Sequence, residues 1–183
     1  HYADHMATHY DYDRLEKLGR DQMQAICPSP RYVGGVLDMD AAHLHPLAYA
    51  IGLARAAVGA GAVIHENSHV HHVTEGAKPI VQTDRGRIIA DHVILAGNGY
   101  LGGLNRRVAA RVMPINNFIV ATEPLGDAAD RVLARDVAVA DTKFVVNYFR
   151  LSADRRLLFG GGETYGYTFP SDIAAVVRKP MLQ

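Results

Sequence analysis

Apolar positions recur at two different periods along the chain, and the change from one to the other predicts an α/β fold. From Asp13 to Ile26, the residues Leu15, Leu18, Met23 and Ile26 trace an imperfect helical face that Gly19 weakens. Pro28 and Pro30 interrupt that helix, and the stretch 31–39, RYVGGVLDM, predicts a short strand. Gly34 and Gly35 would permit a bend or a close main-chain approach there. The clearest unit begins at His45. Pro46 suits the first turn of a helix, Leu47, Ile51, Leu53, Ala54, Ala57 and Val58 form its apolar stripe, and Gly59 and Gly61 suit its end. The stretches 62–66, AVIHE, and 69–73, HVHHV, then predict two strands. PIVQT at 79–83, with a turn at Asp84 to Gly86, predicts a hairpin, and DHVILAG at 91–97 a further strand.

Downstream, RVMPINNFIVATEPL has an extended centre. TKFVVNYFRLS and RRLLFGGG predict a second hairpin with Asp154 to Arg156 near its turn, and a final helix is expected near Asp172 to Val177. Strands crowd the chain after residue 110, which points to a second sheet layer. No internal repeat or low-complexity tract interrupts this order.

Composition narrows the function classes only a little. The 183 residues are 49% hydrophobic, enough for a substantial core, whether as one domain or as a piece of a larger molecule. Nineteen basic residues balance nineteen acidic ones, so charge favours neither nucleic acid nor an anionic membrane. No apolar run is long enough for a membrane span, and the first residues lack the pattern of a signal peptide. The first residue is not methionine, which processing, excision or missing upstream residues would each explain. Cys27 is the single cysteine; it forms no internal disulfide and agrees with a reducing, cytoplasmic setting. Its neighbours Ile26 and Pro28 offer nothing to activate a thiol. No GxSxG elbow supports a serine hydrolase.

Histidines invite a metal reading, because His43 and His45 alternate, as do His69 and His71, with His72 adjacent. Neither cysteine nor carboxylate completes a compact ligand set, so no metal site is expected; an exposed histidine-rich strand accounts for the second cluster. In an extended strand Tyr148 and Arg150 share a face and Phe149 points the other way. Such a pair suits a substrate chamber, because an arginine fork can grip a carboxylate, and equally suits a surface strand with a salt bridge.

Three stretches carry a family resemblance: YVGGVLDMDAAHLHPLAYAIGLARAAVGAGAVIHENSHV, DRGRIIADHVILAGNGY and NYFRLSADRRLLFGGG. In this order, covering roughly residues 31–162, the chain resembles the FAD-dependent oxidoreductases of the D-amino-acid oxidase superfamily. Within it the likeness is to gamma-glutamylputrescine oxidoreductases and glycine or sarcosine oxidases. The resemblance implies part of a Rossmann-like FAD-binding domain joined to a substrate domain with a mixed or antiparallel sheet. Residues 1–42 and 111–159 would belong to the substrate domain, residues 43–110 to the FAD domain with a small hairpin, and residues 160–183 to the return toward it.

The implied activity is FAD-dependent oxidation of a carbon–nitrogen bond in a small amine or amino acid, gamma-glutamylputrescine being one candidate. Oxygen or another electron acceptor would reoxidise the flavin. Cofactor contacts would fall at Val70, near the adenine, and at the turn Ala96, Gly97 and Asn98, where the family more usually has threonine and glycine in the last two places. Read from the residues alone, Val70 is an ordinary strand valine and the turn merely a shaped loop. Arg150 matches a position that binds substrate carboxylate in the family, with Tyr148 beside it, and His45 matches a loop near the domain junction. The catalytic base and the oligomeric state stay unassigned. One departure is large: the chain does not open with the strand, GxGxxG turn and helix that cradle dinucleotide phosphate, although the bare spacing recurs as GNGYLG at 97–102. The fingerprint is therefore expected outside these residues, leaving the chain an incomplete grip on FAD. The alternative from another class is a noncatalytic α/β binding or assembly module.

Overall fold

The computed structural model describes residues 2–166 and 168–182, which cluster into two compact units. The first unit joins residues 1–46 to 117–164 and 168–183; the second runs from Leu47 to Asn116 with a short stretch beginning at Tyr165.

The first unit opens with helix α1 (Tyr2–Tyr10), for which the sequence pattern gave no warning, and strand β1 (Leu15–Leu18). Helix α2 (Arg20–Ile26) follows, so the single helix expected over 13–26 is corrected to a strand and a shorter helix. Gly19 is the reason. Its backbone is extended (φ −72°, ψ 177°), and its amide donates to Gln22 Oε1 at 2.9 Å, so it caps α2 instead of lying inside it. Leu15 and Leu18 then belong to a strand paired antiparallel with β2 (Gly35–Asp38). Close main-chain approach at the glycine pair is real: a Cβ on Gly34 would lie 3.0 Å from the Leu18 carbonyl oxygen. Tyr12 Oη donates to Asp38 Oδ1 at 2.5 Å, tying the turn before β1 to the end of β2.

The sheet of this unit has the order β6 (Ile115–Ala121), β9 (Leu157–Tyr165), β8 (Tyr148–Leu151) and β7 (Val139–Ala140). The expected hairpin is β8 and β9, antiparallel, with Arg155 in the left-handed region (φ 62°) at its turn. Phe149 and Phe159 are cross-strand partners and stack at 5.6 Å on the buried face, where Met23, Cys27, Leu133 and Val177 pack. Helix α5 (Ile173–Met181) adds Val177, fully buried, to that core; its cap is Asp172, whose side chain accepts from the Ala175 amide at 2.8 Å.

The second unit contains helix α3 (Pro46–Gly59), the expected proline-started helix. Its end is a Schellman motif: Gly61 takes φ 95°, its amide donates to Val58 O, and the Ala62 amide donates to Ala57 O. Strands β3 (Val70–Thr74), β4 (Ile80–Thr83) and β5 (Gly86–Ile89) form an antiparallel sheet, followed by the single-turn helix α4 (Arg106–Ala109). Two expected strands are not formed. Residues 62–66 and 91–97 make no ladder, and Val63 and Ile94 are 76% and 89% exposed. Their pattern records apolar extended chain, but a strand also needs a pairing partner, and the described residues supply none there. The stripe of α3 is likewise unburied.

Candidate functional site

Three of the four residues proposed to face the cofactor meet in one cavity of the second unit. Val70 on β3 and Ala96 and Gly97 on the following loop line a space of about 700 Å³, within the range of small-molecule and cofactor pockets. Val73, Val81, Val93 and Leu95 make its wall apolar. Asn98 is placed apart. It opens a short 3₁₀ turn, Asn98–Tyr100, in the left-handed region (φ 47°), and lines a separate small recess with Gly99 and Leu101. Packing is tight at Gly97, where a Cβ would lie 3.3 Å from Leu101 Cα.

An apolar trough beside a turn of small residues fits the planar, weakly polar end of a dinucleotide. It offers no row of helix-start amides of the kind that holds phosphate. The residues present therefore fit a peripheral share of FAD.

His69 and His71, singled out in the sequence as an alternating pair, line this cavity too. A bulge in β3 between Val70 and His72 lets the rings of His69 and His71 approach to 4.8 Å, and His71 Nε2 contacts Asp84 at the hairpin turn. Among the described residues, no cluster of three or more histidines, cysteines or carboxylates could hold a metal ion.

The proposed substrate residues lie in the first unit. Arg150 and His45 line one cavity of about 800 Å³ with His43, Leu44, Asp136 and the β8–β9 turn. Tyr148 is not among its lining residues. Its ring lies over Gly160, its cross-strand partner on β9, and reaches Asn117 on β6, to whose Oδ1 its hydroxyl donates. Burial, followed by the charge of Glu163, pushes the Tyr148 phenol up from its ordinary value.

Arg150 Nη2 donates to Leu44 O at 3.1 Å and Nη1 to Leu151 O at 3.4 Å, while Nη1 lies 3.5 Å from His43 Nδ1. His43 Nε2 lies 3.2 Å from Asp136 Oδ1. The other arginines at the β8–β9 turn are committed: Arg155 to Asp130 and Arg156 to Asp154, each at 2.7 Å. Cys27 is 2% exposed, and burial pushes its thiol up, which keeps it unreactive.

The three glycines at 160–162 are a packing device inside β9 and not a phosphate loop. Gly160 makes room for the Tyr148 ring, and a Cβ on Gly161 would lie 2.7 Å from Asn147 Oδ1. Gly162 takes φ 79° and would meet Val176 at 3.1 Å.

The mixed α/β fold with antiparallel sheets is the fold that the resemblance to flavin-dependent oxidoreductases implies. The chain belongs to the FAD dependent oxidoreductase family, whose model matches residues 1–182. FAD is the cofactor of that family. The chain is 37% identical over 179 residues to the probable oxidoreductase OrdL of Rhizobium meliloti, covering 97% of this chain and 42% of that protein. It is 36% identical over 176 residues to the gamma-glutamylputrescine oxidoreductase of Escherichia coli, covering 95% of this chain and 41% of that protein. It thus spans about two fifths of the length of these relatives. A crystal structure of glycine oxidase from Geobacillus kaustophilus shares the fold with a TM-score of 0.63 at 18% identity, over 91% of this chain and 45% of that one. No helix among the described residues is long and apolar enough to cross a membrane.

Proposed function

We propose that the whole protein oxidises a carbon–nitrogen bond of a carboxylate-bearing amine, with a gamma-glutamyl polyamine conjugate as the leading substrate class and small amino acids as competitors. The observation that carries this reading is Arg150. It lines the large cavity of the first unit without a carboxylate partner among the described residues, whereas Arg155 and Arg156 beside it are paired. A guanidinium in that state suits the carboxylate of a ligand. The kinship with a gamma-glutamylputrescine oxidoreductase supports the choice of substrate class.

Bound FAD would supply the two-electron acceptor for the C–N bond, the chemistry that side chains lack. Val70, Ala96 and Gly97 would hold its peripheral end, Asn98 would shape the turn behind them, and Arg150 with His45 would orient the substrate. Tyr148, raised in pKa and held by Asn117, stays protonated and offers a fixed hydroxyl on the same strand face as Arg150.

Product analysis of the full-length protein with a panel of amines, amino acids and alcohols tests this. Imine-derived carbonyl product and ammonia or amine from a carboxylate-bearing amine are expected. Oxidation of alcohols without amine turnover would refute the reaction class, and a protein that cannot be loaded with FAD would refute the enzyme.

A further inference from the structure

We propose that His43, held by Asp136, is a positioning residue that aims the Arg150 guanidinium and thereby sets how strongly the protein prefers amines carrying a carboxylate; this rests on Arg150 being the anchor. His43 sits between a permanent donor and an acceptor. Its Nδ1 is 3.5 Å from Arg150 Nη1 and its Nε2 is 3.2 Å from Asp136 Oδ1. A guanidinium has only N–H groups to offer, so the nitrogen facing it must present a lone pair. A carboxylate only accepts, so the nitrogen facing Asp136 must carry the proton. Both neighbours select the same tautomer, with hydrogen on Nε2 and the lone pair on Nδ1. Such outer partners fix the orientation of a side chain that binds, as they do for metal-ligating histidines.

The geometry also explains which part of Arg150 stays available. Its contacts run from Nη1 to His43 and to Leu151 O, and from Nη2 to Leu44 O. Three of the five N–H groups are thereby engaged, leaving Nε–H and one hydrogen of Nη2, which lie on one edge of the fork. That edge can take a carboxylate in two parallel bonds. The His43 side chain is only 23% exposed, while Asp136 is 85% exposed. The ring is therefore the fixed strut, and the carboxylate the tether that orients it. Arg135, Arg155, Arg156, Asp130 and Asp154 are the other charged groups of the cavity, and the last four pair among themselves.

The test uses the full-length FAD-loaded protein and a matched pair of amines with and without a distal carboxylate. The readout is the ratio of kcat/KM for the two. His43→Phe, which keeps the ring volume and removes both nitrogens, should lower that ratio by about three- to tenfold, the worth of a hydrogen bond to a charged network. The loss should fall in KM more than in kcat. His43→Asn, which retains an acceptor for Arg150, should recover part of it. Asp136→Asn, at an exposed position where folding is not at stake, should lower the ratio by a smaller factor, about twofold. His43→Phe combined with Arg150→Ala should be no worse than Arg150→Ala alone. If Arg150→Ala leaves the ratio unchanged, the anchor itself is wrong. If Arg150→Ala collapses the ratio while His43→Phe and Asp136→Asn leave it intact, or if the double variant shows additive losses, the positioning role of His43 is overturned.

Discussion

Replacing Gly160 with alanine should destabilise the protein, although alanine normally suits a strand better than glycine. The new methyl would land within the ring of Tyr148, which crosses β9 at this residue to reach Asn117 on the next strand. Two costs follow. Overpacking a filled site costs roughly 1 to 3 kcal/mol, and a side chain that is partly exposed can escape, so the lower end applies. Swinging the ring away also breaks its hydrogen bond to Asn117, worth about 0.5 to 1.5 kcal/mol. Against these stands the gain from removing a mid-strand glycine, about 0.5 to 1 kcal/mol. The balance is a loss of about 0.5 to 2 kcal/mol. The decisive feature is a change of sign. In a Tyr148→Ala background the ring no longer obstructs the methyl, so Gly160→Ala should become neutral or stabilise by up to about 1 kcal/mol. Urea unfolding of the four full-length proteins, followed by far-ultraviolet circular dichroism at constant m-value, measures both steps. An effect of Gly160→Ala with the same sign and size in both backgrounds would refute the argument that the glycine exists for the ring.

Arg150→Ala should cut kcat/KM for a carboxylate-bearing amine by roughly tenfold to a hundredfold, as expected for a charge-assisted contact of about 1.5 to 3 kcal/mol. Flavin content should stay the same, and Arg150→Lys should rescue only in part because the fork is lost. Asp141 is held below its ordinary value of 3.8 even though burial opposes this, because the amides of Asn147 and Lys143, the Asn147 side chain and the Lys143 charge all favour the carboxylate. A depressed folded-state value means stability that is complete above the ordinary carboxylate range and lost as pH falls through it. The slope of stability against pH below about pH 4 should therefore be shallower in Asp141→Asn, and an unchanged slope would show that Asp141 is not the group responsible. Asp172→Ala removes the cap of α5 and should cost about 1 kcal/mol in urea unfolding, with Asp172→Ser close to wild type.

Local periodicity found α3, α5 and the strands whose partners lie nearby in the chain, and missed α1 and α4. α3, with Pro46 at its start and Gly61 in its Schellman end, was legible because every signal lies within one helix. The β4–β5 and β8–β9 hairpins were legible for the same reason. Failures came where the outcome depends on a distant partner. Leu15 and Leu18 fit a helix until β2 offers them a ladder across Gly34 and Gly35. Val63 and Ile94 carry strand chemistry but meet no ladder among the described residues. α1 was missed because its nine residues, with two histidines and two tyrosines, show no apolar stripe; Asp4 on it forms an exposed ion pair with Lys17 on β1.

The candidate site divides along the same line, which bears on how its parts could be recognised at all. The alternation that places Tyr148 and Arg150 on one face of β8 and Phe149 on the other is a property of any strand, and it was readable. What those side chains touch is set by residues far away in sequence: Asn117 for Tyr148, and His43 and Leu44 for Arg150. Gly160 shows how such coupling hides. The sequence places it at the end of the strand RRLLFGGG, but nothing in that pattern shows that the sheet needs an empty place there beneath a ring. His43 hides differently, because its alternation with His45 suggests a metal pair and says nothing of an arginine partner. Its meaning lies in standing between a group that can only donate and one that can only accept, a relation that exists only after the chain has folded.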